Sequence, residues 1–166
     1  AGATYGLLLL ALVIGCVVLH ELGHSFMARE YGSGVRDITI YPLGGAAYIE
    51  RMPSDPRAEA AVTIAGPLVN VAIATSLFPV VIAVGLMDDR TSVSSFLDST
   101  LDPGITGLFV SLFLFNIINF FFNLIPAFPM DGGRLVRAGL TSVVGRDRAT
   151  NVAVLFGYLI AAAMIL

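Results

Sequence analysis

Long apolar runs separated by short polar connections dominate the chain, at about 5–28, 58–87, 105–125 and 149–166. Each approaches the roughly 20 residues needed to cross about 30 Å of hydrocarbon at about 1.5 Å per residue. The pattern predicts an all-α membrane protein, a polytopic transmembrane helix bundle with about four spanning segments. A shorter helical stretch between Arg134 and Val144 carries two arginines and is too short and too charged to span. The segment "VRDITIYPLGGAAYIER", Val35 to Arg51, reads instead as two short extended runs around Pro42-Leu43-Gly44-Gly45, a small β-hairpin. Its Tyr41 and Leu43 are apolar enough to dip into a membrane interface.

Composition agrees with that picture. Of 166 residues, 57% are hydrophobic and 13% charged, against roughly 45–50% and 25% in soluble domains. The first apolar run lacks a basic leading region and is longer than the core of a signal peptide. No stretch is basic enough for nucleic-acid binding, and the single cysteine, Cys16, excludes an intrachain disulfide. The net charge of −3 matters less than where the charges fall. One connection carries Arg29, Arg36, Arg51 and Arg57, another Arg134, Arg137, Arg146 and Arg148; the loop between the second and third runs has only Arg90 among four aspartates. By the positive-inside bias the two arginine-rich connections are cytoplasmic and the aspartate-rich loop is external.

Within the first run stands "CVVLHELGHSF", Cys16 to Phe26, with three titratable groups in five residues. An ionisable side chain costs roughly 2.5–3.5 kcal/mol at the centre of a spanning helix, so these groups need a reason. Histidines four apart on a helix project about 40° apart, one turn above the other, and both can reach one ion. In this His-Glu-x-x-His pattern the glutamate serves as general base toward a metal-activated water. His20 and His24 are the only histidines in the chain, and both fall in the pattern. They precede Arg29 by five to nine residues, roughly 7–14 Å inside the cytoplasmic surface by helix rise. The competing reading is a chance match, with the histidines hydrogen-bonded in a packed core.

A catalytic zinc takes three protein ligands and leaves one position open. Cys16 shares a face with His20 but lies about 12 Å along the axis from His24, too far for one ion. Asp131 is the best remaining candidate. It sits in "NLIPAFPMDGGRL", Asn123 to Leu135, where Pro126 and Pro129 stop a helix and Gly132 and Gly133 let the backbone turn closely. The alternative makes Asp131 the N-cap of the helix that begins near Arg134. Glu50, Asp55 and Glu59 are weaker rivals, expected among arginines in a surface loop. Asn116, Asn119 and Asn123 fall within one arc of the third run, which should face the bundle interior. Asn116 and Asn119 suit interhelical hydrogen bonds, whereas Asn123 suits substrate or oxyanion contact. Asn70, in "AGPLVN", suits either role.

These motifs together, HELGH at 20–24, YPLGG at 41–45, AGPLVN at 65–70 and NLIPAFPMDGG at 123–133, resemble the site-2 protease family of intramembrane metalloproteases. The surroundings of PLGG are most similar to the branch that carries a C-terminal CBS domain. The resemblance implies one zinc ion bound by His20, His24 and Asp131, with Glu21 catalytic. It also implies substrate contact by Asn123, Asn70, Gly44 and Gly45, and a membrane-associated hairpin at 35–51. The chain is then expected to be a single metalloprotease core, 1–166, trimmed at both ends. The expected activity is hydrolysis of a peptide bond in or near a transmembrane segment. The expected partners are the lipid bilayer and a transmembrane regulatory substrate such as an anti-sigma factor or sigma-factor precursor, without nucleic acid. Association into a homo-oligomer stays open. The expected location is the plasma or inner membrane, with the active site near the cytoplasmic face. The rival functions are a membrane metal transporter or sensor and a non-catalytic binder of membrane segments.

Overall fold

The computed structural model describes residues 2–41, 44–49, 53–88 and 92–165. Helix α1 (Gly2–Glu30) is followed by strands β1 (Val35–Tyr41) and β2 (Gly44–Ile49), then helices α2 (Pro56–Met87), α3 (Val93–Asp98), α4 (Ile105–Asn123), α5 (Asp131–Val144) and α6 (Arg146–Ile165). Among the described residues, α1, α2 and α4, with 29, 32 and 19 residues, are long and apolar enough to cross a membrane. The fourth expected span falls on α6, which opens with Arg146, Asp147 and Arg148 and runs for 20 residues.

Local signals account for most of the element ends. Gly32, at a φ of 73°, turns the chain after α1, and the Ser33 N–H bonds to the Ala28 carbonyl at 2.9 Å. Asp55 caps α2 by accepting from the Arg57 and Ala58 amides, with Pro56 at the first helical position. The strands pair antiparallel with Ile38 opposite Ala47 and Tyr41 opposite Gly44, and a register shift lies between Val35 and Ile38. The hairpin is therefore present as expected, although Pro42 and Leu43 at its turn, and Glu50 and Arg51 beyond it, lie outside the described residues.

Helix α2 is the centre of the bundle and packs against α1, α4 and α5, while α6 packs on α5 and β2 on α1. Small residues let the backbones approach: a Cβ at Gly23 would lie 2.8 Å from the Ala65 carbonyl oxygen, and Ala28, Ala58 and Ala74 are buried. Close packing of small residues is how helices associate where lipid removes the hydrophobic drive between them. The large side chains point the other way. Leu7, Phe26, Ile118 and Phe121 are all exposed, which suits a lipid-facing surface.

Candidate metal centre

Three side chains from two distant parts of the sequence converge. His20 and His24 leave the same face of α1, and Asp131 opens α5 after the 124–130 loop. His24 Nε2 lies 3.1 Å from His20 Nε2 and 3.1 Å from Asp131 Oδ2, and His20 Nε2 lies 3.3 Å from the same oxygen. Ligand atoms about 2.0–2.1 Å from a tetrahedral zinc are separated by about 3.3–3.4 Å, so this triangle is close to one face of such a site. All three residues are buried.

The outer nitrogens explain why the inner ones face each other. The His24 Nδ1–H donates to the Val62 carbonyl at 2.9 Å, and the His20 Nδ1–H to Asn70 Oδ1 at 3.3 Å. A neutral ring that donates through Nδ1 carries its lone pair on Nε2. With both rings donating through Nδ1, two imidazole lone pairs and a carboxylate oxygen point into one small space, an arrangement that a bound cation would satisfy. Burial pushes the Asp131 carboxyl up, but the two imidazoles beside it outweigh this and hold it well below the usual carboxylate range. Two histidines and one carboxylate, with the far ring nitrogens engaged, also form a donor set suited to zinc. Glu21 is buried beside them, with the candidate ligand atoms of His20, Glu21 and His24 all within 4.8 Å of one another.

Glycines make this approach sterically feasible. A Cβ at Gly66 would fall 2.2 Å from His24 Nε2. At the other side, Cβ atoms at Gly132 and Gly133 would meet the Ile125 carbonyl oxygen at 2.2 Å and the Ala127 carbonyl carbon at 2.6 Å. Asp131 is the first residue of α5, and Met130 occupies the N-cap position. The capping alternative is thereby corrected: the Asp131 carboxylate turns to the histidines.

Other positions depart from the sequence reading. Glu59 does not sit in a surface loop; it lies in the first turn of α2, is 1% exposed and pairs with Arg137 and Arg146. Asn70 is wholly buried with its oxygen on His20, and its Nδ2 has no hydrogen-bond partner among the described residues. The half-buried Asn123 donates to the Asn119 carbonyl at 3.0 Å and to Asn119 Oδ1 at 3.1 Å. Gly44 and Gly45 lie in β2, opposite Tyr41 and Ile40. Cys16 is buried and accepts from Asn116 Nδ2 at 3.4 Å, one turn from His20. Sequence reasoning missed Gly66, the Val62 carbonyl and the Glu59–Arg137 pair. Gly66 stood within a noted motif, and an acid beginning a long apolar helix was a signal for Glu59.

Comparison with known proteins bears on the family and the fold. The pattern of peptidase family M50 matches residues 8–165. A zinc metalloprotease of Methanocaldococcus jannaschii is 38% identical over 158 residues, 95% of this chain and 42% of that protein. Stage IV sporulation protein FB of Bacillus subtilis is 28% identical over 72% of this chain and 36% of its own length. The chain therefore spans less than half the length of these curated relatives. The fold is similar to that of a site-2 protease from M. jannaschii, with a TM-score of 0.68 and 36% identity over 94% of this chain and 64% of that one. A membrane helix bundle, a matching family pattern along nearly its whole length and a solved relative of the same architecture lead to one conclusion: the chain belongs to peptidase family M50, the site-2 proteases.

Proposed function

We propose that this chain is the core of an intramembrane zinc endopeptidase that cleaves a peptide bond in or near a transmembrane segment. One observation carries the reading: the convergence of His20 Nε2, His24 Nε2 and Asp131 Oδ2 within 3.3 Å of one another, with Glu21 beside them among apolar helices. His20, His24 and Asp131 would hold one zinc ion. When bound, the ion supplies Lewis-acid polarisation of a carbonyl and acidifies an adjacent water.

The remaining work belongs to the chain. Glu21 takes the proton from the attacking water and delivers it to the leaving amine nitrogen as the C–N bond breaks. Asn70 and the Val62 carbonyl hold the histidine rings, and Asn123 is assigned to the substrate backbone or the developing oxyanion. A helical substrate hides its carbonyls in its own hydrogen bonds and must unwind before attack. A strand of the hairpin would pair with the unwound segment, with Gly44 and Gly45 assigned to contact with the substrate backbone. The substrate class is a membrane-bound regulatory protein, as expected for an anti-sigma factor or sigma-factor precursor. The clustering of Arg29, Arg57, Arg134, Arg137, Arg146 and Arg148 supports a plasma-membrane orientation with the site near the cytoplasmic face.

The test is elemental analysis of zinc in the purified wild type, Asp131→Ala and Glu21→Gln, followed by cleavage of a reporter transmembrane peptide. The expected result is about one zinc in the wild type and in Glu21→Gln, and strongly weakened binding in Asp131→Ala, as a three-ligand site requires. Glu21→Gln should lose cleavage by about 10²–10⁴-fold. Zinc unchanged in Asp131→Ala would overturn the ligand set. Zinc-loaded wild type that transports metal but cuts nothing would overturn the protease.

A further inference from the structure

Glu59, Val62, Gly66 and Asn70 recur along α2 at spacings of three and four and share one buried stripe. Three members of that stripe meet the candidate metal centre: Val62 and Gly66 touch His24, and Asn70 touches His20. Glu59, at the cytoplasmic end, meets α5. Arg137 donates from Nε to Glu59 Oε1 at 2.8 Å and from Nη2 to the same oxygen. Arg146 reaches Oε2 at 3.5 Å but is 40% exposed. The Arg137 guanidinium also lies over the Phe128 ring, 5.3 Å from its centroid. Phe128 belongs to the loop that delivers Asp131, so Arg137 joins α2 to both the helix and the loop that hold the third ligand.

His20 and His24 keep their relative geometry through a single turn of α1. Asp131 has no such local constraint: it is 107 residues from His24 in sequence and begins a short helix outside the three long spans. A buried ion pair is a weak source of net stability, because desolvation offsets much of the attraction. In some proteins such a pair instead specifies one arrangement of the elements it joins.

We propose that Glu59 and Arg137 are positioning residues that clamp α5 against α2 and so fix the Asp131 carboxylate on the two histidines. The clamp rests on the zinc reading above.

The test compares wild type, Asp131→Ala and the double variant Glu59→Leu/Arg137→Met, which removes both charges and leaves neither one buried alone. Three quantities are measured: zinc affinity by chelator competition, the visible absorption of the cobalt-loaded protein, and the thermal midpoint of the metal-free protein. The double variant should bind zinc about 10–100-fold more weakly. Its cobalt bands should move toward those of Asp131→Ala, with little change in the metal-free midpoint. Arg146→Gln should change neither metal readout. Zinc affinity and cobalt bands equal to wild type would overturn the clamp, whatever happens to the midpoint, and would leave the packing of Gly132 and Gly133 as sufficient. Should the double variant not fold, Arg137→Lys decides, since it keeps the charge but loses the paired contact. Displaced cobalt bands in that variant support the clamp, and unchanged bands overturn it. A wild type that takes up no metal sinks the zinc reading and the clamp with it, whereas a loaded wild type with an insensitive variant sinks the clamp alone.

Discussion

His24 rests directly on Gly66, so that a side chain at this glycine would have its Cβ 2.2 Å from His24 Nε2. The contact sets the separation of α1 and α2 at the level of the candidate metal centre. It also holds the His24 ring from one side while the Val62 carbonyl holds it from another.

Gly66→Ala follows from this contact. Alanine improves intrinsic helix propensity by about 1 kcal/mol, yet overpacking costs typically 1–3 kcal/mol. The His24 ring must move, and zinc affinity should fall about 10–100-fold in a chelator competition. Wild-type affinity in a folded Gly66→Ala protein would show that the ring has room the structure does not give it.

Asn70 separates ring orientation from mere packing. Asn70→Leu keeps the branching at Cγ but removes the acceptor for His20 Nδ1–H, and should weaken zinc about 10–100-fold. Asn70→Asp keeps an acceptor and should retain most of the affinity. Equal affinities in the two variants would count against the orienting role.

Asn116 supplies the contrasting case. It is fully buried, donates to the Leu112 carbonyl at 2.8 Å and to Cys16 Sγ at 3.4 Å, and its Oδ1 has no partner among the described residues. Interhelical hydrogen bonds in membrane bundles average about 0.6 kcal/mol. Asn116→Leu should therefore change unfolding free energy by less than about 1 kcal/mol and leave zinc content at the wild-type value. A loss of zinc would draw Asn116 into the metal centre.

Removing the metal should lower the thermal midpoint, and zinc should restore it. A ligand at about 100 times its dissociation constant stabilises by about 2.7 kcal/mol. Because Asp131 joins α5 to α1, this zinc dependence should flatten in Asp131→Ala. A midpoint equally sensitive to zinc in both proteins would place the stabilising site elsewhere.

Much of the site was legible in the sequence because its signals are local. Four residues of helix bring His20 and His24 to one face, and the absence of other histidines narrowed the third ligand to an acid. Asp131 was favoured over its rivals by the prolines and glycines around it, and those glycines do pack against the 124–128 backbone. Glu59 was misplaced for an equally clear reason. Its neighbours in sequence include Arg57, but the arginines that bury it are Arg137 and Arg146, brought there by two other helices.

The sequence by itself determined the long apolar helices, the hairpin and the histidine pair, since each depends on hydrophobicity and periodicity within a short window. Tertiary structure brought the favoured carboxylate, Asp131, to the histidines, and it alone decided which atoms hold their outer nitrogens. It also decided why α2 carries glycine at 66. Those are contacts between residues 38 to 107 positions apart. They are set by how closely the helices can approach one another, a quantity that no single segment encodes.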